Sequence, residues 1–372
     1  MLNFEKLEDR KCLSYGPMPL EPVAASPPLF PDTAVADFDL ESLYQSYCID
    51  GNLSFKEMRA LISSTTDEGY TDRFEYLQIQ RYLRLSDMPE YVRYFTNGIL
   101  NGDYTTQETI LFEDPTQLIN KWFNGDNLPE ASFPYVEVQG NLFVDGITPE
   151  DAKQQRLGDC YFITALGATA QNCPEAIASM IIEVDENIWI VRFYDLWGGK
   201  HFVSIDNRLP YYPNYWNPDI KKSAFADWGD RHDDPSNELW PALLEKAFAQ
   251  AAPIKGLRDR PNSYDSLVAG DPSWVLRNLT GQREIRIKGI GKQGYIDYLK
   301  QNKPITVSHN EQNHSYTIES YNAEEDKFFL RNPWQYSHIY ATWEELEAIP
   351  IVGSAFGGYV FDINAENLKD WQ

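Results

Sequence analysis

Gln154 to Leu166 reads Q-Q-R-L-G-D-C-Y-F-I-T-A-L. A glutamine stands six residues before a cysteine, Gly158 and Asp159 lead into Cys160, and an apolar, helix-forming run follows. A thiol at a helix N-terminus lies where unpaired backbone N–H groups and the helix dipole favour thiolate. The side-chain amide of Gln154 is placed to donate to the oxyanion that forms when such a thiolate attacks a carbonyl. This chemistry also needs a base and a group to orient it, and both must come from farther along the chain. His314, in N-H-S-Y-T-I-E-S-Y, is the candidate base; Asn332, in F-F-L-R-N-P-W, is the candidate orienter. Each residue alone has a bland explanation: a buried cysteine, a strand histidine, an Asn-Pro turn. The order Gln, Cys, His, Asn is what points to nucleophilic catalysis. His201, His232, His309 and His338 do not repeat the His314 context, and Cys173 in Q-N-C-P-E reads as structural.

The elements that would position these groups follow from periodicity. Cys160 to about Ala170 reads as a buried helix. Residues 187–194 and 200–205 read as strands joined by a turn at Trp197-Gly-Gly199. Ser236 or Asn237 can cap a helix carrying Trp240, Leu243, Leu244, Ala247 and Phe248 at helical spacing. Residues 305–309, 314–321, 327–330 and 358–361 alternate as strands. His314 then starts one strand and Asn332 ends its neighbour, with Pro333 closing that strand and Trp334 able to cover the pair from water. Upstream, residues 55–61 and 73–83 carry apolar residues at helical spacing. The first 33 residues hold Pro17, Pro19, Pro22, Pro27, Pro28 and Pro31 without periodicity.

Composition narrows the class. The chain has 372 residues, 42% hydrophobic and 14% aromatic, enough for more than one packed unit. Its net charge of −24 argues against nucleic acid and anionic lipid as general partners and suits cations or basic substrates. No apolar run approaches the roughly 18 residues a membrane helix needs. Four cysteines make no disulfide framework. The N-terminus lacks the apolar core of an ordinary signal peptide, although L-E-D-R-K-C-L-S resembles a short leader of some large bacterial surface or secreted proteins. Localisation, cytoplasmic or secreted, stays open, as does oligomeric state.

Over most of residues 140–335 the chain resembles the calpain family of papain-like cysteine proteases. The resemblance rests on L-F-V-D-G-I-T-P-E-D-A-K-Q-Q-R-L-G-D-C, S-I-D-N-R-L-P, N-E-L-W-P-A-L-L-E-K-A-F-A, N-S-Y-D-S-L-V-A-G, N-H-S-Y and R-N-P-W, all in family order. It implies Cys160 as nucleophile, His314 as base and acid, Asn332 as orienter and Gln154 as oxyanion donor. It further implies a Ca2+ site of oxygen ligands: the carbonyls of Val144 and Gly146 and the carboxylates of Asp151 and Glu245. Gln155 replaces the family's usual glycine and Tyr161 its usual tryptophan. The stretch after N-P-W lacks the acids of the family's second calcium site, and no C-terminal regulatory domain of the animal members finds a match.

The expected fold is α+β: a two-lobed papain-like (calpain) protease core behind a helical, EF-hand-like N-terminal region. The expected organisation is a leader or linker over 1–33, a helical region over 34–130, a Cys-bearing lobe over 131–270 and a β-rich His/Asn lobe over 271–372. Ser46–Glu57 and Ser64–Glu75 have EF-hand spacing, with Gly51 and Gly69 at the sixth position and Glu57 and Glu75 at the twelfth. Ser46 and Cys48 are poor calcium ligands, and the two stretches lie too close together for an ordinary pair. Turns between helices explain both. The expected activity is endopeptidase cleavage of a protein or peptide, through a Cys160 thioester and with possible calcium regulation. The alternatives are a transpeptidase or deamidase on the same triad, and an inactive calcium-responsive binding protein.

Overall fold

The computed structural model describes residues 38–66, 69–102, 108–111, 113–309, 313–348, 357–360 and 363. The leader assigned to 1–33 lies outside them, as do Asp67 and Glu68 of the second EF-hand-like stretch.

Five helices come first: α1 (Phe38–Tyr47), α2 (Phe55–Ser63), α3 (Arg73–Leu85), α4 (Glu90–Asn101) and α5 (Thr116–Trp122). Capping boxes start two of them. Ser54 accepts from Glu57 N while Glu57 accepts from Ser54 N, and Asp72 and Glu75 repeat the arrangement. The twelfth-position glutamates of both EF-hand-like stretches are thus occupied as helix caps. Gly51 and Gly69 turn the chain with φ of 83° and 82°, conformations glycine adopts without steric cost. The first stretch serves as a joint between α1 and α2.

These helices pack on one face of a three-stranded antiparallel sheet of β2 (Ile181–Asp185), β3 (Ile188–Tyr194) and β4 (Lys200–Asp206); a separate short strand, β1 (Tyr135–Glu137), precedes it in the chain. The strand alternation divides the sheet between two cores. Ile190 and Phe202 enter the core of the N-terminal helices. Trp189, Val191, Phe193, Val203 and Ile205 enter the core of the Cys lobe. Asn187 does not belong to β3; at φ 57° it sits in the turn before the strand.

The Cys lobe is built around α6 (Cys160–Asn172), with α7 (Pro174–Ala178) following it and α8 (Trp240–Gln250) and α9 (Pro272–Thr280) beside it. Every residue of α6 from Tyr161 to Ala170 is buried. The helix predicted to start at Ser236 or Asn237 starts later: α8 begins at Trp240 with Pro241 in its first turn. Asn237 instead donates its side-chain amide to the carbonyls of Gln139 and Arg231, tying three loops together. A second small sheet joins β1 to β5 (Arg208–Pro213) and β6 (Lys221–Ser223).

The β-rich lobe is a six-stranded antiparallel sheet in the order β11-β10-β9-β8-β12-β7, made of β7 (Ile285–Lys288), β8 (Ile305–His309), β9 (His314–Asn322), β10 (Lys327–Arg331), β11 (Ile339–Ala341) and β12 (Gly357–Val360). Helices α10 (Gly291–Lys300) and α11 (Trp343–Glu347) supply Tyr295, Ile296 and Leu346 to its core. Val275, Leu276 and Leu279 of α9 pack with α6, so the core of the β-rich lobe starts at Ile287. The result is the α+β, two-lobed arrangement expected.

Candidate active site

Cys160 is the first residue of α6, at the helix N-terminus. Helix α6 lies along β9: Thr164 Oγ1 donates to the Ser315 carbonyl at 3.3 Å, and Gln171 Nε2 to the Glu319 carbonyl at 3.2 Å. This docking brings Cys160 beside the start of β9, near enough for the Ser315 N–H to act on the thiol. Two effects oppose each other at the thiol. Burial pushes its pKa up, while the Ser315 N–H and the helix N-terminus favour the thiolate. Burial prevails and the shift is upward.

His314 opens β9 and is buried. Asn332 follows the end of β10, the strand paired with β9. Their antiparallel pairing places His314 Nε2 3.0 Å from Asn332 Oδ1. Because an amide oxygen only accepts, this contact puts the proton on Nε2 and leaves Nδ1 as the basic nitrogen. Trp334 covers the pair, its ring centroid 4.4 Å from that of His314. Desolvation holds the imidazole below its ordinary pKa, against the opposing pull of the Asn332 hydrogen bond. Asn332 is itself fixed: its N–H donates to His338 Nδ1 at 3.2 Å, and its Oδ1 also accepts from Trp334 N at 3.0 Å. His338, which sequence reasoning set aside, therefore has a positioning part, one that only the hairpin geometry discloses.

Gln154 lies just upstream in the same lobe as Cys160. Its Nε2 donates to the Leu157 carbonyl at 2.6 Å, which fixes the amide and leaves its second N–H for another acceptor. Its backbone N–H bonds the Pro333 carbonyl at 2.9 Å, linking Gln154 to the Asn332–Trp334 turn. Gln335 Nε2 reaches the carbonyls of Pro149 and Ala152, each at 3.0 Å, and Arg331 pairs with Glu150 at 2.7 Å. The two lobes are joined at this seam by the protein's own bonds.

The structure separates the expected calcium ligands. Asp151 accepts from Thr148 N at 2.7 Å and from Thr148 Oγ1 at 3.0 Å, near the turn at Asp145 and Gly146. Its carboxylate neighbour is Glu238, which accepts from Val144 N at 2.9 Å. Burial, and then the charge of Asp151, raise Glu238 to about 7. Glu245 has different surroundings. It is 2% exposed, accepts from Ala226 N, and faces Asp159 behind the nucleophile. Glu238 lies before α8 and lines the outer cleft, whereas Glu245 lies within α8 and is buried in the core. Among the described residues no group of three or more His, Cys, Asp or Glu side chains is arranged to hold a metal ion. The cleft of about 370 Å³ that contains Asp151 and Glu238 is also lined by Glu150, Asp227, Asp230 and Asp234. Two facing carboxylates in an acidic cleft fit a hard divalent cation. The sequence offers two glutamates here, Glu238 in N-E-L-W and Glu245 in L-L-E-K, and only the fold shows that Glu238 is the one beside Asp151.

Residues 113–347 match the calpain family cysteine protease domain. Calpain-5 of Caenorhabditis elegans is 34% identical over 150 residues, 38% of this chain and 20% of its own length. The calpain-type cysteine protease DEK1 of Zea mays is 28% identical over 230 residues, 59% of this chain and 9% of its own length. Calpain-A of Drosophila melanogaster is 28% identical over 181 residues, 46% of this chain and 19% of its own length. The chain thus spans about a fifth or less of the length of these relatives, and the matched family domain covers α6, which starts at Cys160, β9, which starts at His314, and Asn332 after β10. With Cys160, His314 and Asn332 all inside the matched region, this chain belongs to the calpain family of cysteine proteases.

Proposed function

We propose that the protein is an endopeptidase that cleaves protein or peptide substrates through a Cys160 thioester. The observation that carries this reading is the His314 Nε2 to Asn332 Oδ1 hydrogen bond, which leaves Nδ1 as the base on the strand beside Cys160. Nδ1 takes the thiol proton as sulfur attacks the scissile carbonyl carbon. The oxyanion receives hydrogen bonds from the second Gln154 N–H and from the backbone N–H at the start of α6. The imidazolium then gives its proton to the leaving amine as the C–N bond breaks. Water, deprotonated by the same imidazole, attacks the thioester and returns the thiol. Asn332 keeps the ring in the productive tautomer throughout.

Calcium belongs to this proposal with one ligand changed: the carbonyls of Val144 and Gly146 with the carboxylates of Asp151 and Glu238 would hold it. The ion would supply positive charge between two facing carboxylates and brace the segment leading to Gln154. Cys160→Ala should abolish cleavage of a casein-like protein and leave the melting temperature unchanged. Substantial cleavage by that variant would sink the assignment. Transfer of acyl groups to added amines by the unmutated protein, without peptide cleavage, would favour a transferase on the same triad.

A further inference from the structure

The segment from Gln154 to Cys160 has a neighbour at each end. At Gln154 it meets the Asn332–Trp334 turn, through the Pro333 carbonyl. At Gly158 it meets the loop of residues 266–270. Ala269 N–H donates to the Gly158 carbonyl at 3.0 Å, and a Cβ on Gly158 would lie 3.5 Å from Val268 Cγ1. His314, covered by Trp334, gives its proton to the leaving amine. The leaving group therefore lies toward the Trp334 end, and the acyl part of a substrate runs toward Val268. Val268, Ala269 and Gly270 are exposed there, Val268 by 43%.

Two arginines hold this loop. Arg258 donates through Nε and Nη2 to the Ser266 carbonyl at 3.2 and 2.8 Å, and through Nη2 to the Ala269 carbonyl at 2.9 Å. Arg260 donates through Nη1 to the carbonyls of Ser266 at 3.1 Å and Val268 at 3.3 Å. These bonds help to keep Ala269 at φ 61°, a conformation alanine rarely holds. They use only part of each guanidinium, which carries five N–H donors in a planar fork. Nη1 of Arg258, and Nε and Nη2 of Arg260, have no acceptor among the described residues.

Neither arginine has a carboxylate partner, in a chain with 56 acidic residues against 32 basic ones. Of the neighbouring acids, Asp259 accepts from Gly256 N and Asp271 from Ser273 N, and Asp265 is exposed without pairing to either arginine. Burial and the charge of Arg260 disfavour the Arg258 cation; the Tyr161 hydroxyl opposes them, and no carboxylate does. Arg258 is half-buried and Arg260 exposed, so the unused donors can be reached from the cleft side of the loop.

We propose that Arg258 and Arg260 form a subsite for an aspartate or glutamate side chain of the substrate, on the acyl side of the scissile bond. This rests on the peptidase reading of Cys160 and adds a substrate class to it. The two forks would take the carboxylate through charge-assisted hydrogen bonds, while Val268 offers apolar surface to the same peptide.

The test uses acetyl-tetrapeptide vinyl sulfones, whose peptide part occupies the acyl side alone. The Cys160 thiol adds across the vinyl bond: sulfur bonds the outer carbon and the inner carbon takes the proton. Glutamate or glutamine is placed in turn at the second, third and fourth residue from the vinyl group, with alanine elsewhere, and the rate of labelling is read by intact mass. At one position the glutamate probe should label about tenfold faster than its glutamine twin. The net charge of −24 works against that preference, so the overall field cannot supply it. Arg260→Gln should bring the ratio near one. Arg260→Glu should turn the preference toward a lysine probe, which loss of a structural contact alone would not do. Equal labelling by glutamate and glutamine probes at every position overturns the proposal, as does an undiminished glutamate preference in Arg260→Gln. If the Arg260 variants do not fold, salt decides: the ratio in the unmutated protein should shrink as sodium chloride rises, and a salt-independent ratio overturns the proposal. Failure of the peptidase reading looks different. No probe of either kind then labels Cys160, and this inference falls with it.

Discussion

At the scale of single residues, the imidazole of His314 is governed by two neighbours with opposite effects. Trp334 and the surrounding burial exclude water and disfavour the cation; Asn332 Oδ1 accepts from Nε2–H and favours it. Burial prevails, so the base stays neutral somewhat below the ordinary histidine value of about 6.5. Trp334→Ala admits water to the ring. The acid limb of kcat/KM should then move up toward that ordinary value, with the fold retained. Stability carries the same signature. Because the folded pKa is depressed, the unfolded chain binds more protons just below the ordinary value, and stability rises with pH across that window. Trp334→Ala should flatten this rise, and an unmoved acid limb would show that Trp334 does not shield the base.

At the scale of elements, the site depends on how the β2–β3–β4 sheet holds the N-terminal helices on one face and the Cys lobe on the other. Gly125, just after α5, is where the helical region meets β4. Its φ is 68°, and a Cβ there would lie 2.6 Å from the Ile205 carbonyl carbon and 2.7 Å from Asp206 N. Both are backbone atoms that cannot turn aside. Gly125→Ala should lower unfolding free energy by about 3 kcal/mol in urea titration, combining left-handed strain with overpacking. A loss below about 0.5 kcal/mol would mean the helical region is loosely seated. Elements of this kind were legible in sequence where periodicity was strong: α6, β3, β4 and the β8–β9–β10 meander fall within a residue or two of expectation. The start of α8 was not, because Ser236 and Asn237 look like helix caps; Asn237 is instead held by the nearby Arg231 carbonyl and by that of Gln139, a tertiary contact that local pattern does not carry. The EF-hand spacing of Ser46–Glu57 was legible too, yet the same glutamate that would ligate calcium also completes a capping box. Only the geometry tells the two uses apart.

At the scale of the whole molecule, the seam between the lobes is closed by Gln154, Gln335 and Arg331 acting on protein partners. Calcium at Asp151 and Glu238 would therefore find lobes already in contact, and its effect should appear first as stability. Millimolar calcium should raise the melting temperature of the unmutated protein, by the equivalent of about 2.7 kcal/mol at a hundredfold excess over Kd. A chain of net charge −24 also gains from any salt through screening of its self-repulsion, so the comparison must be made against sodium chloride at equal ionic strength. Glu238→Gln should remove the calcium-specific increment, because it leaves Asp151 as the sole facing carboxylate. Glu245→Gln should retain it, because that side chain faces Asp159 in the core. No increment above sodium chloride in the unmutated protein would remove calcium from the account. An increment lost in Glu245→Gln but kept in Glu238→Gln would restore the ligand set read from sequence and place the cation on the α8 side of the nucleophile.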